Sequence, residues 1–233
     1  MDFASIIRQG EKDYNSDFLR IIQDDTTCCF CVADGRETSL AAELSVNTIC
    51  DDFETSHMIT KSSVSDFFAH ANEVVSQNEY PLSASCACLL TDESVAVWGS
   101  IGDCRVYLLR ENWLYEITPD HSDAYSLYEA GEIRYPKIRR NKTRYNLHRM
   151  IGKDKNNTPF SSQPEVLKVG DSLLICSDGF WANIHERQIE KTLKRSKSAQ
   201  EWLDKMMHII DKNIHYKKYS RFRDSLCAIT IKI

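Results

Sequence analysis

The sequence predicts an α+β domain, on three observations. Short β-type runs recur from Asp2–Ile7 to the final stretch Leu226–Ile233. Two stretches with helical spacing stand mid-chain and two more stand late. No linker, repeat or low-complexity tract interrupts them, so residues 1–233 are taken as a single domain.

Composition narrows the function. A net charge of -5 argues against a general nucleic-acid binder. The N-terminal residues lack the basic start and apolar run of a signal peptide, and no apolar run has the length of a membrane span. Neither nucleic acid nor membrane is expected as a partner. Nine cysteines, an odd number without even spacing, suit reduced thiols and a cytoplasmic setting. Cys28, Cys29 and Cys31 invite a metal reading. However, adjacent strand residues face opposite ways, and no second Cys/His pair has zinc spacing, so buried thiols are expected.

In chain order, Asp2–Ile7 reads as a strand and residues 10–16 as a turn. Asp17–Ile22 and Thr27–Ala33 read as two further strands, the second ending in Asp34-Gly35. If they pair, Asp17 and Asp34 come close, and neighbouring carboxylates repel unless protonated or shared with a cation. Ala42, Val46, Ile49, Cys50 and Phe53 line one helix. Val64, Phe67, Phe68, Ala71 and Val75 line the next, with Ser62-Ser63 as its expected caps. Ser83–Leu90 is a strand. Residues 95–122 read as strand, turn, strand, hairpin and strand, with Gly102-Asp103-Cys104-Arg105 at the first bend and Arg110-Glu111-Asn112 at the hairpin.

After His121 the pattern is helical as far as Gly131. Residues 132–158 are polar and basic, with Arg134, Lys137, Arg139, Arg140, Lys142, Arg144 and Arg149. As a charge run this reads as a solvated loop. Pro164–Leu167 is an edge strand, and Ser172–Ser177 a buried strand delivering Asp178-Gly179. Two helices follow, the longer with Trp202, Met206, Ile209 and Ile210 as its core stripe. The basic run Lys217, Lys218, Arg221 and Arg223 reads as solvated and precedes Asp224-Ser225 and the last strand.

These motifs, in this order, resemble the PPM (PP2C-like) metal-dependent protein phosphatases. The family opens with an Arg, then Asn-x-Asp, then Ala-Asp-Gly. Here stand Lys12, Asn15-Ser16-Asp17 and Ala33-Asp34-Gly35. Its Gly-Ser-Thr-Ala strand corresponds to Ala84-Ser85-Cys86-Ala87, and its Gly-Asp-Ser-Arg and Leu-Thr-x-Asp-His to residues 102–105 and 117–121. Its variable flap corresponds to residues 123–158, ending at Asn146–Gly152, and its Ser-Asp-Gly to Ser177-Asp178-Gly179.

The resemblance implies an α-β-β-α sandwich of two mainly antiparallel sheets flanked by helix pairs. It also implies hydrolysis of phosphoserine and phosphothreonine in proteins, the products of a Ser/Thr kinase, by water activated at a two-metal centre. Asp34 and Asp178 would be catalytic. Asp17, Asp34, the Gly35 carbonyl, Asp178 and Asp224 would hold two ions, with Asp103 and Asp178 at a third position. Oxygen donors without His or Cys suit Mn²⁺ or Mg²⁺. Lys12 and Arg36 would bind phosphate, although lysine lacks the two-pronged guanidinium of the family's arginine.

The departures support an alternative, a pseudophosphatase acting as an interaction module. Arg36-Glu37-Thr38 replaces the family's Met-Gly-Gly or His-Gly-Gly, and Arg36 cannot protonate a leaving group near neutral pH. Ser225 replaces an asparagine whose amide orients the neighbouring acid. Against the module stands the retention of all five aspartates, since buried carboxylates are costly without a cation. A Ser122-His121-Asp120 triad is set aside, because adjacent residues rarely converge on one substrate atom and no nucleophile elbow is present.

Overall fold

The computed structural model describes residues 1–24, 26–36, 38–153, 157–216 and 224–233. Eleven strands and six α-helices are labelled in chain order. They are β1 (Asp2–Arg8), β2 (Asp17–Gln23), β3 (Cys28–Gly35), α1 (Ser39–Ser56), α2 (Lys61–Ser76), β4 (Ala84–Thr91), β5 (Val95–Ile101), β6 (Arg105–Arg110) and β7 (Trp113–Ile117). Then come α3 (Asp123–Glu129), β8 (Phe160–Ser161), β9 (Glu165–Val166), β10 (Ser172–Cys176), α4 (Asp178–Trp181), α5 (Glu186–Leu193), α6 (Ala199–His215) and β11 (Leu226–Lys232). Short 3₁₀ turns at Tyr135–Arg140 and Lys142–Tyr145 punctuate the basic segment.

Two antiparallel sheets stack face to face. One has the order β1-β11-β10-β6-β7; the other runs β2-β3-β4-β5-β8, with β9 also paired to β5. Phe30, Val32, Leu89 and Trp98 from one sheet meet Val106, Leu173, Ile175 and Ile229 from the other in a buried middle layer. The opposite faces of the strands are covered by helices. Val46, Ile49, Phe53, Phe67 and Phe68 of α1 and α2 pack on β3 and β4. Trp202, Leu203, Met206 and Ile210 of α6 pack with Ile189 and Leu193 of α5 over the first sheet. A strand whose two faces are both buried shows little alternation in exposure, as β4 does, buried at all eight positions. The four-layer α-β-β-α sandwich is therefore the observed architecture. Among the described residues no helix is long and apolar enough to cross a membrane.

Local chemistry explains the boundaries. Thr38 caps α1 by accepting from the Leu40 N–H. The cap of α2 is Thr60 rather than Ser62-Ser63. Its hydroxyl accepts from the Ser63 N–H while the Ser63 hydroxyl donates to main-chain carbonyls and accepts from the Thr60 N–H. The hairpin between β6 and β7 turns on two residues, Glu111 and Asn112, both at positive φ; Arg110 belongs to the strand. The thiols of Cys28, Cys29 and Cys31 are buried, with Cys29 and Cys31 facing α1 and Cys28 facing the other sheet. Ile209 departs from its expected place, being only partly buried beside the core stripe of α6.

Candidate active site

The strands deliver acids to one end of the sandwich. Antiparallel register sets Asp17 of β2 opposite Asp34 of β3, and Asp34 opposite Ser85 of β4. The Gly35 N–H donates to the Ser16 carbonyl at 2.9 Å, which holds the end of β3 to the turn before β2. From the facing sheet, β10 runs into Ser177 and Asp178, the first residue of α4, and Asp224 stands just ahead of β11. Ser177 ties the two sheets. Its hydroxyl donates to Asp17 Oδ2 at 2.6 Å and accepts from the Cys227 N–H at 3.1 Å.

The bend between β5 and β6 supplies Asp103. Gly102 adopts φ +83°, and a Cβ there would lie 2.2 Å from Ser85 Oγ, so only glycine fits. The close approach lets Ser85 Oγ donate to Asp103 Oδ1 at 2.9 Å, and Trp181 Nε1 donates to the Asp103 carbonyl at 2.8 Å. His121 locks the bend. Its Nδ1 accepts from the Gly102 N–H at 3.2 Å, and its own N–H donates to the Gly102 carbonyl at 2.8 Å. Burial, helped by the Arg149 and His148 charges, pushes the His121 imidazole down to about 4, so the ring stays neutral and Nδ1 stays an acceptor at physiological pH. Arg105 and Asp120 form a buried two-pronged pair, with both N–O distances 2.6 Å, beneath the Trp181 ring. They brace the bend rather than face the opening.

A pocket of ≈ 200 Å³ lies where these elements converge. Lys12, Asp34, Gly35, Arg36, Asp103, Asp178 and Asp224 all line it, from segments that are far apart in sequence. Asp17 does not line the pocket. It sits behind it, its carboxylate engaged by Ser177 and Ser16. Glu37, Lys217, Lys218, Arg221 and Arg223 lie outside the described residues.

The basic segment contributes more than a solvated loop would. Arg139 and Arg144 are both buried. Arg139 Nη1 donates to the Trp181 carbonyl and Nη2 to Glu186 Oε1. Arg144 Nη1 donates to Asp178 Oδ2 at 2.8 Å, Nη2 donates to the Tyr145 hydroxyl at 2.8 Å, and the guanidinium lies over the Tyr145 ring. Tyr145, Leu147, Met150 and Ser85 complete the lining of the pocket. Arg144 and Tyr145 have no signal in the sequence that separates them from their exposed neighbours. Ser225 also gains a place. Its N–H donates to Asp224 Oδ1 at 3.0 Å, while its hydroxyl accepts long bonds from the Gly10 and Ser16 N–H groups.

The electrostatics of the cluster call for a cation. Burial, then the charges of its aspartate neighbours, holds the Asp34 carboxyl well above the usual range. Burial is also the leading cause for Asp17, raised to about 7, Asp103, raised to about 8, and Asp224, raised to about 6; the Asp178 charge adds to each. Asp178 Oδ1 is buried without a hydrogen-bond partner. Among the described residues no three acids, thiols or imidazoles are already drawn round one point. Instead they surround the pocket, with Asp178 drawn to Arg144. A hard divalent ion fits an orphaned carboxylate oxygen in an all-oxygen set.

A stability measurement follows from these displacements. In the unfolded chain the acids ionise near 3.8, whereas the folded, metal-free protein keeps protons on Asp17, Asp103 and Asp224 to higher pH. The folded state then binds more protons than the unfolded state, so stability falls as pH rises from about 4 to 8. Each unit of displacement is worth about 1.4 kcal/mol, or about 3–6 °C in Tm at this chain length. Melting in chelator at pH 5 and pH 8 should show the lower Tm at pH 8, and Mn²⁺ should raise Tm more at pH 8 than at pH 5. Equal Tm values in chelator at both pH values would contradict the cluster's electrostatics.

No family model matches the chain. The serine/threonine phosphatase stp of Listeria welshimeri is 27% identical over 188 residues, 74% of this chain and 74% of that protein. The PPM Ser-Thr phosphatase MsPP of Mycobacterium smegmatis, solved in complex with cacodylate, matches with a TM-score of 0.81 at 21% identity, over 100% of this chain and 98% of its own. The catalytic domain of the phosphatase PstP, solved in complex with two manganese ions, matches with a TM-score of 0.77 at 16% identity, over 98% of this chain and 96% of its own.

Proposed function

From the premise that the chain belongs to the PPM phosphatase family, we propose that it hydrolyses phosphoserine and phosphothreonine in proteins with Mn²⁺ or Mg²⁺. The observation that carries this reading is the convergence of Asp34, Asp103, Asp178 and Asp224 on one pocket with Lys12 and Arg36 at the same opening. Asp17, Asp34, the Gly35 carbonyl, Asp178 and Asp224 would hold two ions, with Asp103 and Asp178 at a third position. When bound, the ions supply a nucleophilic water at neutral pH and offset charge on the phosphoryl oxygens.

The chain's own side chains do the rest. The Lys12 ammonium, whose charge already acts on Asp224, draws the phosphate dianion inward. Arg36 binds and orients it from the opposite motif. Asp34 and Asp178 fix the direction of attack by their rigid places at the ends of β3 and β10. Ser177 keeps Asp17 in register across the two sheets, and Ser85 keeps Asp103 turned toward the pocket. Tyr145, Leu147 and Met150 supply apolar surface to the same lining. The substrates are proteins phosphorylated by a Ser/Thr kinase in the cytoplasm, and residues 1–233 act as one domain with residues 123–158 as the variable flap.

The test is hydrolysis of a phosphothreonine peptide with Mn²⁺, with Mg²⁺ and with chelator. Turnover is expected with either ion and none with chelator. Folded protein that binds Mn²⁺ yet shows no turnover with any ion would instead be the interaction module.

A further inference from the structure

The outer face of α5 and the turn that follows it carry chemistry that the pocket does not use. Arg187, Lys191, Lys194, Arg195 and Lys197 are all exposed within eleven residues, in a chain of net charge -5. The two acids of the same stretch are engaged inward. Glu186 Oε1 accepts from Arg139 Nη2 at 2.6 Å, and Glu190 Oε1 accepts from the Leu114 N–H at 3.1 Å. Five cations against two acids leave the stretch with a net positive charge.

Next to it runs β7, the edge strand of its sheet. Trp113 and Tyr115, two residues apart and so on one face, are 58% and 59% exposed. Lys194 Nζ lies 2.9 Å from the Trp113 ring centroid, and the Arg110 guanidinium lies 4.7 Å from that of Tyr115. The ladder of β7 is not open along its length, because Glu190 occupies the Leu114 N–H. Recognition here must use side chains rather than an added strand. Two depressions share Lys191 and Arg195. One, of ≈ 510 Å³, reaches Trp113; the other, of ≈ 610 Å³, runs between α5 and α6 to Ile209.

We propose that α5 and the turn after it, with Trp113 and Tyr115 of β7, form a docking surface for an acidic segment of a partner protein that carries an apolar side chain among its carboxylates. Charge complementarity selects the acidic segment, and the exposed indole offers the apolar contact. A peptide fits better than a nucleic acid or an anionic membrane. Glu190, Glu201 and Asp204 stand among the basic residues of the two depressions. A phosphodiester strand, charged at every step, would be repelled by them, whereas a peptide can place neutral residues there. None of the proposed docking residues lines the acidic pocket, so the surface does not depend on the reaction assigned to that pocket.

The experiment is fluorescence anisotropy with a fluorescein-labelled, glutamate-rich peptide bearing one central Phe, at low ionic strength. The wild-type protein should bind it, and added salt should weaken binding. The Lys191→Glu, Lys194→Glu, Arg195→Glu triple variant should weaken Kd by roughly tenfold or more. Trp113→Ser should weaken it several-fold against the same peptide. Melting temperature confirms that each variant is folded, and the milder Lys191→Ala, Arg195→Ala pair serves if charge reversal disturbs α5. No binding by the wild type, or equal affinity in the charge-reversed variant, overturns the proposal. Displacement of the peptide by duplex DNA or phosphatidylserine vesicles at lower concentration than by unlabelled peptide also overturns it, since the partner class would then be wrong.

Discussion

Asp178→Asn is expected to lower Mn²⁺-dependent hydrolysis of a phosphothreonine peptide on the order of 10³-fold, the scale on which loss of one electrostatic partner in a catalytic site is felt. The residue is 5% exposed, Oδ1 has no protein partner, and Oδ2 is shared with Arg144. Asparagine preserves the shape but removes the charge that a divalent ion and the Arg144 guanidinium both need. Two opposing effects act on stability. Removing the charge relieves repulsion on Asp17, Asp34, Asp103 and Asp224, each of which feels Asp178. It also leaves Arg144 without its buried counter-ion. The metal-free variant should therefore melt within a few degrees of the wild type while binding Mn²⁺ more than tenfold more weakly by calorimetric titration. A variant that keeps a tenth of the turnover and full Mn²⁺ affinity would remove Asp178 from the centre. Loss of turnover with unchanged Mn²⁺ affinity would instead separate an effect on the reaction from one on the metal.

Local rules made most of the sandwich legible. The strands could be read because short apolar runs are bounded by turn residues, and α1 and α2 because their apolar stripes keep helical spacing over about three turns. The acids could be placed because Asp34 stands at the end of β3 and Asp178 just past the end of β10, each before a glycine. What was illegible depends on distant partners. Arg144 looks like any arginine of a basic run until Asp178, 34 residues away, gives it a reason to be buried. Asp17 has the expected register beside Asp34 yet turns to a serine 160 residues away, and so lies behind the pocket rather than on its wall. The cap of α2 was misplaced because Thr60, Ser62 and Ser63 can all cap, and only the reciprocal bond between Thr60 and Ser63 decides among them. The sandwich itself required the pairing of β1 with β11, across more than two hundred residues, which no local pattern encodes.

That long-range pairing sets up the largest stability effect expected, from Gly179→Ala. Gly179 follows Asp178 in the first turn of α4, at the point where the segment leading into β11 passes closest. A Cβ on Gly179 would stand 1.8 Å from the Ser225 carbonyl oxygen, 2.9 Å from its carbon and 3.3 Å from Leu226 Cα. All three are main-chain atoms, so no rotamer change relieves the overlap. Either α4 or the start of β11 must move. Moving α4 shifts Asp178 and pulls on Trp181, which supports Asp103 through its indole N–H. Moving Ser225 shifts Asp224, to which its N–H donates, and disturbs the turn before β2 that its hydroxyl holds. Overpacking of this kind costs about 3 kcal/mol or more when the neighbour is rigid, which corresponds to roughly 6–12 °C in Tm for a chain of this length. Thermal melting with and without Mn²⁺ separates the two consequences. A drop in Tm together with a smaller Mn²⁺-induced rise is expected, because the same displacement spreads the carboxylates apart. A Tm within two degrees of wild type would mean, on that same scale, that the approach of α4 to β11 is looser than the structure has it, and that the glycine after Asp178 serves the turn alone.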